Sequence, residues 1–243
     1  MQYLGWRGLV KEKNNSNFKS SSLKKRDSGT LKIKPLVIIS CEGTKTEPNY
    51  LRTIISVLIK KGKIARGSVV ITDHQHTDPL GVLKDLVNYK YDYTLFEKKW
   101  IVIDRDEVCS ISSNSSGHPE ENFVAALTEA EKLNIEVAWS NPCFEIFIVE
   151  HYMYRDTGGE RKDIQDKALE LLCKDGKIKA DASVKELKAF DNLYDVLLPR
   201  KETGFGNLKK LMNAQKDKSP VDANPGTRFH ELVEVLEAYF DKG

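Results

Sequence analysis

The fold expected for this chain follows from one stretch of its sequence, Leu36-Val-Ile-Ile-Ser-Cys-Glu-Gly-Thr-Lys-Thr-Glu47. Its first four residues are apolar and mostly β-branched, and the run is bounded by a proline and a glycine. This pattern predicts a buried strand of a parallel sheet. Thr46 and Pro48 are typical of a helix N-cap and first turn, so a helix is expected next. Glu42 is then a candidate site residue, because ligands of open α/β sheets bind beyond the carboxyl ends of the strands.

Three more short apolar runs follow, at residues 68–73, 100–104 and 135–139. Between the runs, apolar residues recur at spacings of three and four, which predicts intervening helices. Strands alternating with helices predict βαβ units with right-handed crossovers. The expected fold class is therefore α/β: a Rossmann-like, mostly parallel four-stranded sheet with flanking helices, over residues 35–140.

The pattern changes to helical at Asn141, which is expected to cap a helix that continues to Tyr154. Residues 141–243 are predicted to form a helical extension packed on the α/β core. Within it, residues 203–206 are expected to form a turn, and residues 225–227 are expected to open the last helix.

Charge is distributed unevenly along the chain, although the formal net charge is only +2. Residues 1–34 hold nine Lys or Arg against two acids, whereas the remainder holds 29 against 34. This leading segment also lacks core-forming residues, so it is predicted to be a flexible basic arm. Such an arm is either a solvated tail or a contact for nucleic-acid phosphates.

Membrane insertion and cysteine chemistry are not indicated by the sequence. No run approaches the roughly 18 uninterrupted apolar residues of a membrane span, and no amino-terminal signal is evident. A cytoplasmic protein is therefore expected. The four cysteines contain no CxxC pair, so neither a disulfide framework nor a zinc knuckle is predicted.

Acidic residues follow two of the predicted strands. Asp104 and Asp106 come directly after the third strand, and Glu42 follows the first. In a parallel sheet these ends meet at one edge, where two acids separated by one residue can both reach a divalent cation. Mg²⁺ prefers oxygen ligands, and it is usually bound by one or two carboxylates together with several waters and the phosphates of a substrate. A second metal candidate, His74-x-His76 with Asp73 and Asp78 nearby, is better explained as ordinary polar loop sequence, because it has no third fixed ligand.

Two of these motifs resemble the sequence signatures of the Toprim fold, which occurs in topoisomerases, primases and OLD-type nucleases. They are Glu42-Gly43 and Asp104-Arg105-Asp106. A wider set of motifs resembles the RloB-like family, which includes the second component of an AbiL-type abortive-infection pair. These motifs are Cys41–Tyr50, Val102–Glu107, Ala138–Glu145 and Asn224–Thr227.

The resemblance implies a Toprim-like, Mg²⁺- or Mn²⁺-dependent phosphodiesterase that acts on DNA or RNA in antiphage defence, often encoded beside an ATPase. By motif, Glu42 would be the general acid/base, and Asp104 and Asp106 would hold the cation. Glu42 is also a possible metal ligand.

Four further residues are candidates for contact with substrate, each with a simpler alternative. Lys45 and Arg105 are candidates to hold phosphate, or they are a solvated helix-start residue and a charge-balancing residue. Asn141 and Glu145 either face the strand-end crevice or act as an N-cap and a first-turn acid. At the level of function, the alternatives are a non-catalytic nucleotide-sensing or partner-docking module and a primase-type nucleotidyl-transfer enzyme.

Overall fold

The computed structural model describes residues 34–106 and 119–241. The predicted basic arm falls almost entirely on residues outside these ranges. The strands are β1 (Val37–Cys41), β2 (Val69–Ile71), β3 (Lys98–Asp104), β4 (Glu136–Asn141) and β5 (Gly226–Thr227). The α-helices are α1 (Thr46–Lys60), α2 (Pro79–Val87), α3 (Glu120–Lys132), α4 (Glu145–Tyr152), α5 (Arg161–Lys174), α6 (Val184–Lys188), α7 (Leu193–Leu197), α8 (Lys201–Ala214) and α9 (Phe229–Asp241). Short 3-10 helices occur at Tyr93–Leu95 and Leu198–Arg200.

The strands form one sheet in the order β2-β1-β3-β4-β5, in which β1 to β4 are parallel. This confirms the expected mostly parallel α/β fold. The described sheet has five strands rather than the predicted four, because β5 pairs antiparallel with the end of β4. Gly226 fits this position because a Cβ there would lie 2.7 Å from the Ala223 carbonyl oxygen and 3.1 Å from the Trp139 ring of β4.

Helices cover both faces of the sheet. Along β1 the side chains alternate, so that Val37 and Ile39 face one core and Ile38 faces the other. The first core contains α1, α4, α5, α8 and α9, and the second contains α2 and α3. Strands buried on both faces explain the continuous apolar runs in the sequence.

Three local expectations for the extension are wrong. Asn141 does not cap a helix: it is the last residue of β4, and α4 begins at Glu145. Residues 203–206 lie inside α8 rather than in a turn, and Gly204 lets α8 pack closely against the His151 ring of α4. Residues 226–227 form β5, so the segment after residue 140 is helical except for this strand.

None of the helices within the described ranges combines the length and apolar character that a bilayer crossing requires.

Candidate functional site

A cavity of about 670 Å³ opens at the carboxyl edge of the parallel sheet. Its wall combines the ends of β1 and β3 with the starts of α1, α4 and α5 and the end of α6. Five carboxylates line it: Glu42, Glu47, Asp104, Asp106 and Glu145. The structure therefore brings together all three residues predicted to carry the chemistry, and it adds acids from two helices.

Glu42 lies in the turn directly after β1 and is tied to β3. Its backbone N–H donates to the Val102 carbonyl over 2.9 Å, which extends the sheet pairing by one residue. Its Oε2 accepts the backbone N–H of Asp104 at 3.0 Å. The two predicted motifs are thus joined directly, and the direction of the Glu42 carboxylate is fixed at the cavity wall.

The three residues of the Asp-Arg-Asp motif lie in different environments. The backbone N–H of Arg105 donates to the Ser140 carbonyl at 2.8 Å, and that of Asp106 donates to the Pro142 carbonyl at 3.2 Å. These bonds, one to β4 and one to Pro142 just after it, hold the chain while Asp106 takes a φ of 31°, which Asp tolerates better than most residues. As a result, Asp104 and Asp106 line the cavity.

Arg105 does not line the cavity. Its side chain is buried and donates to Glu120 Oε2 at 2.9 Å, near the start of α3. The structure thus places Arg105 in an ion pair between β3 and α3, as the charge-balancing alternative anticipates, but with Glu120 rather than the flanking aspartates.

Asn141 is also directed away from the cavity. It is fully buried, and its Nδ2 donates to the carbonyls of Pro220 and Val221 at 3.0 and 2.8 Å. Glu145 does line the cavity, is only 3% exposed, and accepts from Gln165 Nε2 at 3.3 Å. Lys45 lies at the cavity rim and is exposed.

Glu47 is a cavity residue that the sequence analysis did not select. It lies in the first turn of α1, 8% exposed, with its carboxylate packed over Gly43. A Cβ at Gly43 would lie 2.5 Å from Glu47 Oε2, so glycine is needed for this close approach. The available signal was an acid in the first turn of the helix that follows the Glu-Gly pair.

Two cations of the helical extension were also missed. Arg161 is the first residue of α5, and its guanidinium forms an ion pair with Asp106 Oδ2. Lys188 is the last residue of α6, and its carbonyl accepts the Thr46 hydroxyl at 3.1 Å. Thr46 therefore ties α1 to α6 instead of capping α1. No sequence signal could place these residues at the cavity, since they lie far along the chain from the motifs.

His74 lines the cavity whereas His76 does not. His74 Nδ1 lies 3.3 Å from the Cys41 carbonyl oxygen, which can only accept, so Nδ1 donates. His76 instead pairs with Asp85 through Nδ1 at 2.6 Å. The two histidines thus have different partners and do not converge on a common point.

Crowding and burial make the cavity carboxyl groups hard to ionise together. Burial, with Glu145 and Glu42 nearby, raises the pKa of Glu47 to about 7. Burial raises the pKa of Asp106 to about 6, although the Arg161 guanidinium opposes this effect. The pKa of Asp104 is raised well above its usual range by burial first and then by Asp106 and Glu47. A bound cation would relieve this repulsion.

The donor set fits a hard divalent cation in its chemistry. All five acids offer carboxylate oxygens, and Asp106 Oδ1 is buried with no hydrogen-bond partner among the described residues. Within residues 34–106 and 119–241, no three His, Cys, Asp or Glu side chains are already grouped as metal ligands. Mg²⁺ needs no such cage, because it is usually bound by one or two carboxylates together with water and substrate phosphate.

Comparison with known proteins identifies the family of this chain. No curated protein and no solved structure gives a significant match to the chain. A family model described as RloB-like protein matches residues 37–236. This match covers most of the chain and includes every residue of the cavity wall, from Glu42 on β1 to Lys188 on α6. The chain belongs to the RloB-like family.

Proposed function

We propose that this protein is a divalent-metal-dependent, Toprim-type nuclease that cleaves phosphodiester bonds of DNA or RNA. The observation that carries the proposal is the convergence of Glu42, Asp104 and Asp106 from two adjacent strand ends in one cavity. The cavity also contains cations, which a purely acidic metal-storage site would not need. Phosphodiester cleavage requires this combination of acidic groups and anion-binding groups.

Asp104 and Asp106 are the residues that would hold Mg²⁺ or Mn²⁺, with Glu42 as a further ligand. Bound there, the metal would act as a Lewis acid on the phosphate oxygens and lower the pKa of a coordinated water. The protein supplies the fixed positions: Asp104 through β3, and Asp106 through its backbone bond to Pro142.

Proton transfer is assigned to the two glutamates near Gly43. Glu42 has its carboxylate oriented by the Asp104 N–H. Glu47 has a pKa raised by burial to about 7, so both of its protonation states are populated near neutral pH. An acid/base group is most effective when its pKa lies near the working pH. Glu47 is therefore suited to exchange a proton with the leaving or attacking oxygen.

The cellular role that we propose is antiphage defence, as one component of an abortive-infection pair with a partner ATPase. This part of the proposal rests on the family to which the chain belongs and on the resemblance of its motifs to the AbiL-type component. The cavity provides the effector activity that such a pair requires.

A second candidate is a non-catalytic module that senses a nucleotide or docks a partner protein. The observation in its favour is the ion pair between Asp106 and Arg161, which already neutralises one of the two acids assigned to the metal. In such a module the pair would be permanent, and the cavity would bind an anion without turnover.

Cleavage assays with purified protein test the proposal. Single-stranded and double-stranded DNA and RNA would be incubated with Mg²⁺ or Mn²⁺, alone and with the neighbouring ATPase. We expect metal-dependent cleavage by the wild-type chain and its loss in Glu42→Gln and Asp104→Asn. Cleavage that persists in both variants would remove these residues from the mechanism. Nucleotide binding without cleavage in any combination would favour the sensing module.

A further inference from the structure

We propose that Arg161 and Lys188 bind the phosphate group of the substrate in the acidic cavity. The inference rests on the proposed function and deepens it, since it assigns the anion-binding half of the site. It also gives the helical extension a direct role: both cations come from the segment after residue 140, whereas the acids Glu42, Asp104 and Asp106 come from the α/β core.

Position is the first argument. Of the described residues that line the cavity, three are Lys or Arg: Lys45, Arg161 and Lys188. Lys45 is exposed at the rim, whereas the other two are partly buried. Among the described residues, Arg161 and Lys188 are thus the partly buried cations of the cavity wall, and Arg161 contacts Asp106 directly.

The second argument is the chemistry of Arg161. Its side chain is 29% exposed, so its guanidinium is reachable from the cavity while it pairs with Asp106. A guanidinium carries five N–H donors in a planar fork, more than one carboxylate oxygen can accept. That fork matches two oxygens of a phosphate as well as it matches a carboxylate. Arg161 can therefore contact Asp106 and a substrate phosphate together, or exchange one for the other.

The third argument is that the backbone of Lys188 is fixed although its side chain is long. Its carbonyl accepts the Thr46 hydroxyl, and three residues later Asp191 accepts from Asn49 Nδ2 at 2.6 Å. These two bonds tie the end of α6 to the start of α1. Lys188 lines the same cavity as Glu47 and Asp106, so its charge lies among the acids of the wall.

The negative charge of the substrate is the fourth argument for cations in this cavity. A phosphodiester is an anion, and it would enter a cavity with five carboxylates. Like charges that share one partly buried cavity repel each other strongly. A metal held by Asp104 and Asp106 would offset part of this repulsion, and Arg161 and Lys188 would offset a further part at the phosphate itself. The ion pair that Arg161 makes with Asp106 is consistent with this role of Arg161 beside a phosphate.

The experiment compares Arg161→Ala, Arg161→Lys and Lys188→Ala with the wild-type chain. The cleavage probe is bis(p-nitrophenyl) phosphate with Mn²⁺, and the binding probe is fluorescein-labelled single-stranded DNA or RNA with Ca²⁺ in place of Mn²⁺. We expect both alanine variants to raise KM or Kd by about tenfold or more, because each loses a charged hydrogen bond. Arg161→Lys should fall between, since it keeps the charge and loses the fork. Lys188→Ala should reduce the slope of log Kd against log salt by about 1.

Lys162 and Lys185 provide matched controls on the same two helices. Lys162 follows Arg161 but is exposed and pairs with Asp166, and Lys185 is exposed on α6. Their alanine variants should match the wild-type KM and salt slope. Thermal melting identifies purely structural effects: Lys188→Ala keeps the carbonyl that accepts from Thr46, so its melting temperature should be unchanged.

The outcomes separate this inference from the proposed function. If the wild-type chain cleaves and both alanine variants keep its KM and salt slope, the phosphate role is wrong and the nuclease proposal stands. A lower melting temperature with unchanged KM would make Arg161 a structural partner of Asp106 only. If the wild-type chain neither binds nor cleaves any probe, the proposed function fails and this inference fails with it.

Discussion

Glu47 and Glu150 are two glutamates with similar burial and different surroundings. Glu47, on α1, is 8% exposed and lines the cavity with four other carboxylates. Glu150, on α4, has no exposed surface and does not line the cavity. Its Oε1 accepts the Arg155 backbone N–H at 2.9 Å, and its Oε2 has no hydrogen-bond partner in the described part of the chain. Burial raises the pKa of Glu47 to about 7 and that of Glu150 to about 8.

A raised carboxyl pKa therefore does not by itself identify a functional site. Burial is the main cause at Glu150, with Asp156 adding to it, and burial also lowers the pKa of His151 to about 4 in the same helix. Perturbed groups become informative when several of them face one cavity and can reach a common ligand. Glu47 meets this condition together with Asp104 and Asp106, and Glu150 does not.

The largest expected effect comes from replacing each glutamate in turn. Glu47→Gln should lower kcat about 10²–10⁴-fold in the metal-dependent cleavage assay, because a proton-transfer group is lost. Glu150→Gln should leave kcat close to the wild-type value, because Glu150 is not among the described residues that line the cavity. Equal losses of activity in both variants would show that the cavity does not separate the two glutamates.

The pH dependence of stability should reveal both groups. A carboxyl whose pKa is raised in the folded state binds more protons there than in the unfolded chain, so its contribution to stability is lost as pH rises. The free energy of unfolding should therefore fall from pH 4.5 to 7 for Glu47 and from pH 4.5 to 8 for Glu150.

Urea unfolding at several pH values measures this dependence. Glu150→Gln should flatten the decline over its whole range, and Glu47→Gln should flatten it only below about pH 7. A decline that is unchanged in Glu150→Gln would mean that this carboxyl is ionised in the folded protein at neutral pH.

Two glycines permit a comparison of function with packing. At Gly204 a Cβ would lie 2.5 Å from the buried His151 ring, so Gly204→Ala should destabilise the protein by about 1–3 kcal/mol in urea unfolding. At Gly43 the clash is with the flexible end of Glu47, so Gly43→Ala should cost little stability. It should instead lower kcat about a hundredfold, because the carboxylate is displaced. A stability loss in Gly43→Ala as large as that in Gly204→Ala would contradict this distinction.

The smallest expected effect is a thermal shift on adding Mg²⁺ at pH 8. Binding of Mg²⁺ to the folded state stabilises it by about 2.7 kcal/mol when Mg²⁺ is at a hundredfold excess over Kd. This stabilisation raises Tm. The shift should be present in the wild-type chain and in Glu150→Gln, and absent in Asp104→Asn. An equal shift in Asp104→Asn would place the cation outside this cavity.

Much of the α/β core could be predicted from sequence, because its signals are local. The run Leu36–Ile39 is apolar and precedes Glu42-Gly43, and the run before Asp104 has the same form, so both strands were predicted at the right place. β1 continues to Cys41 and β3 begins at Lys98, so their bounds differ from the apolar runs. The two-residue strand β5 has no such signal, since Pro-Gly-Thr is typical of a turn. Its pairing with β4 depends on a contact between segments more than 80 residues apart.

Local sequence was sufficient to predict the four parallel strands, the two acidic motifs and the edge at which they meet, because parallel strands bring their carboxyl ends to one edge. Only the tertiary structure decided which neighbouring side chains share the cavity. It turned Arg105 toward Glu120 and Asn141 toward Pro220, and it brought Arg161 and Lys188 from the extension. The physical reason is that strand formation depends on near neighbours in the chain, whereas a side chain's partners depend on how distant elements pack.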